Sequence, residues 1–302
     1  ARPPNGRPVV GDYLELGAEG WLLDGETWHP SGTIYGVLGN PVSHSLSPAM
    51  HNAALVEREI DAEYLAIRLE AGQLRRLKEG EVSNRLAGFN VTAPLKEAVA
   101  ALCDGRTDQA RDTGVVNTVR VEDGKWLGHN TDSGGILTVL TGAWTKEEPP
   151  ARAVVLGAGG SARAAVDALL RWDVPRLEVR NRSAAGRDKI KSWLKGRDPS
   201  GRVEVRPLAA GEEETPTVGT VWICCLAGGV ATRPFLPVAA ADHPAVLLDL
   251  RYGDQLPPEE APLGFQVLDG LPVLLLQGGL SFAWWFGPPV PWERMKEVLA
   301  GG

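Results

Sequence analysis

Cysteine is scarce in this 302-residue chain, which carries only Cys103, Cys224 and Cys225. Three cysteines, two of them adjacent, form no C-x-x-C pair and no Cys/His group at ligand spacing. A disulfide framework and a structural metal site are both excluded, and a reducing, cytoplasmic setting is expected. Long apolar runs are missing too. A membrane-spanning helix needs roughly 18 to 20 uncharged apolar residues, and the best stretch, LPVLLLQGGLSFAWWF, is interrupted by Gln277, Gly278 and Gly279. No membrane association is expected. The first residues, ARPPNGRP, have no apolar segment of the secretory type, and the missing Met points to processing or an upstream boundary rather than to export. Long basic runs are also absent, and 31 basic against 38 acidic residues leave a net charge of -7. A nucleic-acid partner has little support, and a small-molecule ligand is the better expectation.

Lysine and asparagine are each limited to eight positions, while Arg, Ala, Gly and Pro abound. A Lys or Asn that persists inside a motif therefore carries weight. With 43% hydrophobic and 23% charged residues, the chain is of ordinary globular composition and long enough for one large domain or two of average size.

Residues 1–32 hold two short stretches, YLEL and GWLLDGETW, that could pair as a hairpin but cannot form a core alone; they are read as an extension of unknown role. From Thr33 strand-like and helix-like segments alternate, which indicates a mostly parallel sheet. The sequence predicts strands at TIYGVLG, AEYLAIRL and AGFNVT, helices from Ser47, near Ala71 to Lys78 and in PLKEAVAALC, and a hairpin across Asp123-Gly124. After Asp132 comes a helical segment, then polar TKEEPP, and the alternation restarts at ARAVVLGAGG. Two α/β units result. The domains expected are 33–131, completed by helical residues 271–302 folding back on it, and 132–270.

The strongest local signal is Val154-Val155-Leu156 followed by Gly157, Ala158, Gly159, Gly160, Ser161 and Ala162. Glycines let a turn tighten and bring backbone close to a pyrophosphate, whose charge is met by N–H groups opening the next helix. Ala162 is small enough to let that helix sit close to the strand. The string follows an apolar strand and opens an amphipathic helix, as dinucleotide binding requires. The following strand ends in Arg180, Asn181, Arg182 and Ser183, with Arg187 one turn on. The only nearby acid, Glu178, lies inside the strand. Cations and donors suit a 2′-phosphate, so the cofactor expected is NADP (NADPH) rather than NAD.

In the first half, GNPVSHSLSP follows a strand. Ser47 before Pro48 reads as an N-cap, whereas Ser45 has no structural reason to be there. Asn90-Val91-Thr92-Ala93-Pro94-Leu95-Lys96 repeats the arrangement and puts Lys96 in a first helical turn, where a cation opposes the helix dipole. Gly128-His129-Asn130-Thr131-Asp132 leads into the next helix, and Asp132 suits an N-cap or a chemical role. The five histidines and the Trp-rich end are read as structural.

These segments resemble the shikimate dehydrogenase family. GNPVSHSLSPAMHNAAL, FNVTAPLKEAV, VVNT, GHNTD, LGAGGSARA, RNRS and GLPVLLLQGGLSF stand in that family's order over residues 33–300. The resemblance implies two lobes with a cleft between them: an N-terminal α/β substrate domain and a C-terminal Rossmann-like NADP-binding domain. It implies that Ser45, Ser47, Thr92, Asn117, Tyr252 and Gln277 hold shikimate or 3-dehydroshikimate and that Lys96 and Asp132 form a catalytic pair. Residues 157–162 would take the pyrophosphate, with Asn181, Arg182, Ser183 and Arg187 around the 2′-phosphate. No metal is implied, and a monomer or homodimer is expected. A quinate/shikimate dehydrogenase using either cofactor, and a non-catalytic NADP-binding regulator on the same fold, are the alternatives. Two positions depart from the family pattern: Ser133 replaces a common Gly, and Ile223–Gly229 replaces an Asn-Ala-Thr type turn near the nicotinamide.

Overall fold

The chain divides into two units, residues 1–131 with 275–302, and residues 132–274. The computed structural model describes residues 12–18, 20–80, 85–211, 219–237, 245–256 and 264–301. Residues 1–11 and Glu19 of the N-terminal extension lie outside the described residues.

The first unit is built on a nine-stranded sheet of order β3-β2-β1-β5-β4-β6-β8-β9-β7. Its strands are β1 (Leu14–Leu16), β2 (Trp21–Leu23), β3 (Glu26–Trp28), β4 (Thr33–Gly39), β5 (Ala62–Arg68), β6 (Leu86–Val91), β7 (Gly105–Arg106), β8 (Thr118–Glu122) and β9 (Lys125–His129). β4 pairs in parallel with β5 and β6 and is nearly all buried. A parallel strand covered on both faces reads as such a continuous apolar run. Between them run α1 (Ser47–Glu57), α2 (Leu74–Glu79), α3 (Lys96–Leu102) and α4 (Asp108–Thr113). Asp123 and Gly124, at φ 51° and 73°, form the two-residue turn joining β8 to β9. Both left-handed positions are what a right-twisted hairpin needs.

Residues 12–28 are not a separate appendage, contrary to the expectation for 1–32. β1 pairs in parallel with β5, and β2 and β3 continue the sheet as an antiparallel meander. Leu14, Leu16, Trp21 and Trp28 enter the same buried cluster as Ile34, Leu38, Ile67 and Phe89. Short strands with no partner cannot bury their side chains, so the stretch gains its structure from the open edge of β5.

The second unit carries α5 (Asp132–Ala143), β10 (Arg152–Leu156), α6 (Gly160–Arg171), β11 (Leu177–Asn181), α7 (Ala184–Leu194), β12 (Val203–Pro207), β13 (Thr220–Cys224), β14 (Ala245–Asp249) and β15 (Phe265–Leu268). All six strands are parallel in the order β12-β11-β10-β13-β14-β15. Renumbered within the unit this is 3-2-1-4-5-6, the doubly wound Rossmann order. Val154, Leu156, Trp222 and Leu247 belong to one buried cluster. The chain ends in α8 (Leu271–Phe286) and α9 (Trp292–Ala300). No described helix is long and apolar enough to cross a membrane.

Candidate functional site

Two loops at the carboxyl ends of β4 and β6 are locked together in the first unit. The Thr92 N–H donates to the Leu38 carbonyl at 2.9 Å, and the Asn40 N–H donates to the Ala93 carbonyl at 3.3 Å. A Cβ on Gly39 would fall 2.3 Å from Cγ2 of Thr92, so only glycine allows this approach. The loops carry Ser45, Ser47, Thr92 and Lys96. In open α/β sheets the carboxyl ends of strands are where ligands bind. Asn40 is further held by its side-chain hydrogen bond to Glu70.

Ser47 is not the N-cap that its place before Pro48 suggested. Leu46 occupies that position with no side-chain cap, and Ser47 begins α1. The acceptor is Ser45, whose Oγ takes the Ser47 N–H at 3.3 Å. The two serines therefore exchange structural roles: Ser45 tethers the loop and Ser47 is the buried one. Lys96 is the first residue of α3, half-buried, as expected. Asp132 is the first residue of α5, buried at the helix end that favours a carboxylate.

Asn117 and Gln277 lie 160 positions apart in sequence, yet Nδ2 of Asn117 donates to Oε1 of Gln277 at 3.3 Å. α8 comes this close because its glycines permit it. A Cβ on Gly278 would sit 2.3 Å from Cε of Met50, and one on Gly279 would sit 2.0 Å from the Trp292 ring. Behind Asn117 runs a network that the sequence did not point out: Tyr64, Asn90, Thr118, Thr131 and Ser281. Its members lie on β5, β6 and β8, in the loop between β9 and α5, and on α8, so only the fold brings them together. His51 stacks on Tyr64, and neither of its ring nitrogens has a hydrogen-bond partner. Burial alone lowers its pKa to about 3.

In the second unit the glycine turn lies between β10 and α6, at the point where strand order reverses. Gly157 has φ 120°, and a Cβ there would lie 2.8 Å from the Cys225 carbonyl oxygen. Gly159, the N-cap of α6, offers no side-chain cap, and a Cβ on it would meet nothing within 4 Å. The first turn of α6 has no acid, and Ala162 is fully buried. An open, uncapped helix start beside a glycine turn fits a pyrophosphate, so the residues present suit a dinucleotide.

At the tip of β11, Asn181 donates to Oγ of Ser183 at 3.1 Å, and Ser183 caps α7 by accepting the Gly186 N–H at 3.1 Å. Arg187 donates to the carbonyls of Asn181 and Arg182 at 2.9 and 2.8 Å, clamping the loop. Arg182 is exposed. Arg180, grouped with these residues by sequence, turns inward instead. It is buried, pairs with Glu178 at 2.7 Å and lies over the Trp222 ring at 5.4 Å. Burial would raise the Glu178 pKa, but hydrogen bonds and charge from Arg180 and Arg152 outweigh it and hold the carboxyl below its ordinary value. A charged strand residue facing the core must find its partner there, which is why Arg180 is unavailable at the tip.

Tyr252 precedes a short turn, Gly253–Gln255. Its neighbour Arg251 pairs with Asp249 at 2.6 Å and donates to the carbonyls of Ala227 and Val230, at 3.2 and 2.6 Å. It thereby holds the loop after β13 that departs from the family pattern. Cys224 is fully buried, and burial pushes its thiol pKa up, whereas Cys225 is half-buried.

A Rossmann sheet with a glycine turn at its switch point, in a chain whose other α/β unit gathers hydroxyl, amide and lysine side chains, defines the class of dinucleotide-dependent oxidoreductases. Residues 37–119 match the family described as the shikimate dehydrogenase substrate binding domain. The shikimate dehydrogenase (NADP(+)) of Magnetococcus marinus is 33% identical, over 92% of this chain and 97% of its own. That of an Anaeromyxobacter species is 37% identical, over 88% of this chain and 95% of its own. A crystal structure of a shikimate dehydrogenase in complex with NADP+ superposes with a TM-score of 0.73 at 27% identity, over 90% of this chain and 99% of that one. The chain belongs to the shikimate dehydrogenase family.

Proposed function

We propose that this protein is an NADP-dependent shikimate dehydrogenase that reversibly reduces 3-dehydroshikimate to shikimate, a step of aromatic amino-acid biosynthesis. The observation that carries the reading is the pairing of Asn117 with Gln277 in a unit that also presents Ser45, Ser47, Thr92 and Lys96, within a chain matching relatives of that name over nearly their whole length.

The domain roles follow. Residues 33–131 with the C-terminal helices bind substrate, and residues 132–270 bind the dinucleotide through Gly157 to Ala162. Arg182 meets the 2′-phosphate directly; Asn181, Ser183 and Arg187 shape the loop that presents it. When bound, NADP(H) supplies or accepts a hydride at C4 of its nicotinamide. Ser45 and Ser47 hold the substrate carboxylate, while Thr92, Asn117, Tyr252 and Gln277 address its hydroxyls. Lys96 donates a proton to the C3 oxygen as alkoxide character develops, and takes it back in the oxidation direction. Asp132 orients that proton transfer. The enzyme acts in the cytoplasm as a monomer or homodimer.

The test is NADPH formation from shikimate with NADP+, compared with quinate and with NAD+. Strong preference for shikimate with NADP+ is expected. Preference for quinate, equal use of NAD+, or no turnover with any pairing would each overturn the assignment.

A further inference from the structure

Arg251 follows the end of β14, and it is buried together with Asp249, each being 4% exposed. Nε and Nη2 grip the Asp249 carboxylate at 2.8 and 2.6 Å, and Nη2 also donates to Oγ1 of Thr232. Nη1 donates to the carbonyls of Ala227 and Val230, at 3.2 and 2.6 Å. Five bonds match the five N–H groups that a guanidinium carries in a fixed fork.

The residues held in this way are of the opposite kind. Ala227, Gly228, Gly229 and Val230 are exposed, in a turn closed by the Val230 N–H on the Ala227 carbonyl at 3.3 Å. The Gly229 N–H donates to the Gln255 carbonyl at 3.2 Å, which ties the turn to the segment after Tyr252. A buried ion pair adds little to stability by itself, since desolvation of two charges offsets their attraction. Apolar side chains could fill the same space, but they could not bond two carbonyls of the turn.

The place of the turn in the sheet suggests what it receives. β13 lies beside β10, and the Cys225 N–H donates to the Leu156 carbonyl at 2.8 Å. The Cys225 carbonyl is also the group that leaves no room for a Cβ on Gly157. In a doubly wound sheet each half takes one mononucleotide, and the pyrophosphate sits at the turn of the first strand. With the 2′-phosphate read at the tip of β11, the half made of β13, β14 and β15 is left for the nicotinamide mononucleotide.

We propose that Arg251 is a positioning residue for the nicotinamide: backed by Asp249, it holds the turn at 227–230 in the shape that receives that end of NADP(H). The inference rests on the reading above, in which the second unit binds NADP. Arg251 acts through the backbone of the turn rather than on the reacting atoms.

Arg251→Lys keeps a cation beside Asp249, but one nitrogen replaces three and cannot serve the carboxylate and both carbonyls. Its Kd for NADP+, read by calorimetry, is expected to rise about tenfold, the scale of one or two lost buried hydrogen bonds. Kd for 2′,5′-ADP, which has only the adenosine half, stays within about twofold, as for a distant independent site. Turnover falls about 10- to 100-fold, because a nicotinamide held out of line transfers hydride poorly. Equal weakening of both ligands, or of neither, overturns the role; a lower Tm alone is what a purely structural pair would give. Should Arg251→Lys fail to fold, Thr232→Val removes one acceptor of the same guanidinium and should weaken NADP+, but not 2′,5′-ADP, by about threefold. Hydrogen exchange on the wild type gives a second reading: amides 226–230 gain protection with NADP+ and not with 2′,5′-ADP. The same protection with both ligands, or none with NADP+, overturns the placement of the turn and the role with it. Failure of the wild type to bind either ligand is a different result, and overturns the functional reading on which the role rests.

Discussion

The imidazole of His51 lies flat on the ring of Tyr64, 4.3 Å between centroids, with both ring nitrogens buried and without hydrogen-bond partners. Desolvation keeps the ring neutral by lowering its pKa to about 3. In the unfolded chain the same ring protonates near its ordinary value of about 6.5. Between these values the unfolded state binds the extra proton, so stability falls as pH drops through that window and is complete above it. The folded carboxyls held below their ordinary range, Asp104 and Glu178, act only below about pH 5, so the upper part of the window belongs to His51 and to His129, whose pKa burial also lowers. The expected loss is about 1.4 kcal/mol for each pH unit within it. Thermal melts of the wild type should drop between about pH 6.5 and 5, and melts of His51→Phe should fall less steeply there, the remaining slope coming from His129. Equal slopes for the two proteins would remove His51 as the cause.

Lys96 opens α3 beside the loop of Ser45 and Ser47, and is the only lysine in the loops that follow β4 and β6. If it handles the proton, Lys96→Ala lowers kcat by roughly 10²- to 10⁴-fold, the usual contribution of a placed acid or base. Binding of NADP+, followed by nicotinamide fluorescence or calorimetry, stays near normal. Near wild-type turnover would remove Lys96 from the chemistry.

Arg182 is the exposed cation at the tip of β11, whereas Arg180 is committed to Glu178 and Arg187 to backbone carbonyls. Arg182→Ala should raise KM for NADP+ by about 10- to 100-fold, as expected for losing a charge-assisted contact, and leave KM for NAD+ little changed. Arg180→Ala should act differently: it removes one of the cations that hold Glu178, leaving Arg152 at 2.6 Å, and lowers the urea midpoint of the second unit. A loss of cofactor discrimination in Arg180→Ala without loss of stability would contradict the assignment of the two arginines.

Trp28 ends β3 at the sheet edge, yet is only 4% exposed. If the added strands belong to the core, Trp28→Ala costs about 3 to 5 kcal/mol, as for other buried tryptophans. The denaturant midpoint reads this directly. A change below about 0.5 kcal/mol, typical of surface positions, would restore the picture of a loose leader.

Much of the fold was legible from local pattern. Alternating apolar strands and amphipathic helices announced two α/β units, Asp123-Gly124 marked its hairpin, and the glycines after Leu156 marked the turn at the strand switch. Each of these rests on interactions between near neighbours: backbone freedom at glycine, the dihedral demands of a two-residue turn, the period of a buried strand. The helix start at Ser45 and Ser47 was misread because capping depends on which serine the loop turns inward, and the loop is held by Thr92, nearly fifty positions away.

By itself, then, the sequence determined the element types, the glycine turn and the identity of the polar groups available for a site. Only the tertiary structure decided where those groups point. Arg180 and Arg182 are two residues apart and chemically identical, but Arg180 lies within β11, on the face it shares with Glu178, whereas Arg182 lies just past the strand end and is exposed. Residues 12–28 hold too few apolar groups to bury alone, and become core through the unpaired edge of β5. Asn117 meets Gln277 only because α8, thinned by Gly278 and Gly279, packs against α1 and α9. Partners separated by 160 positions leave no periodic trace in a chain, because their pairing is set by packing across the sheet rather than by any local preference.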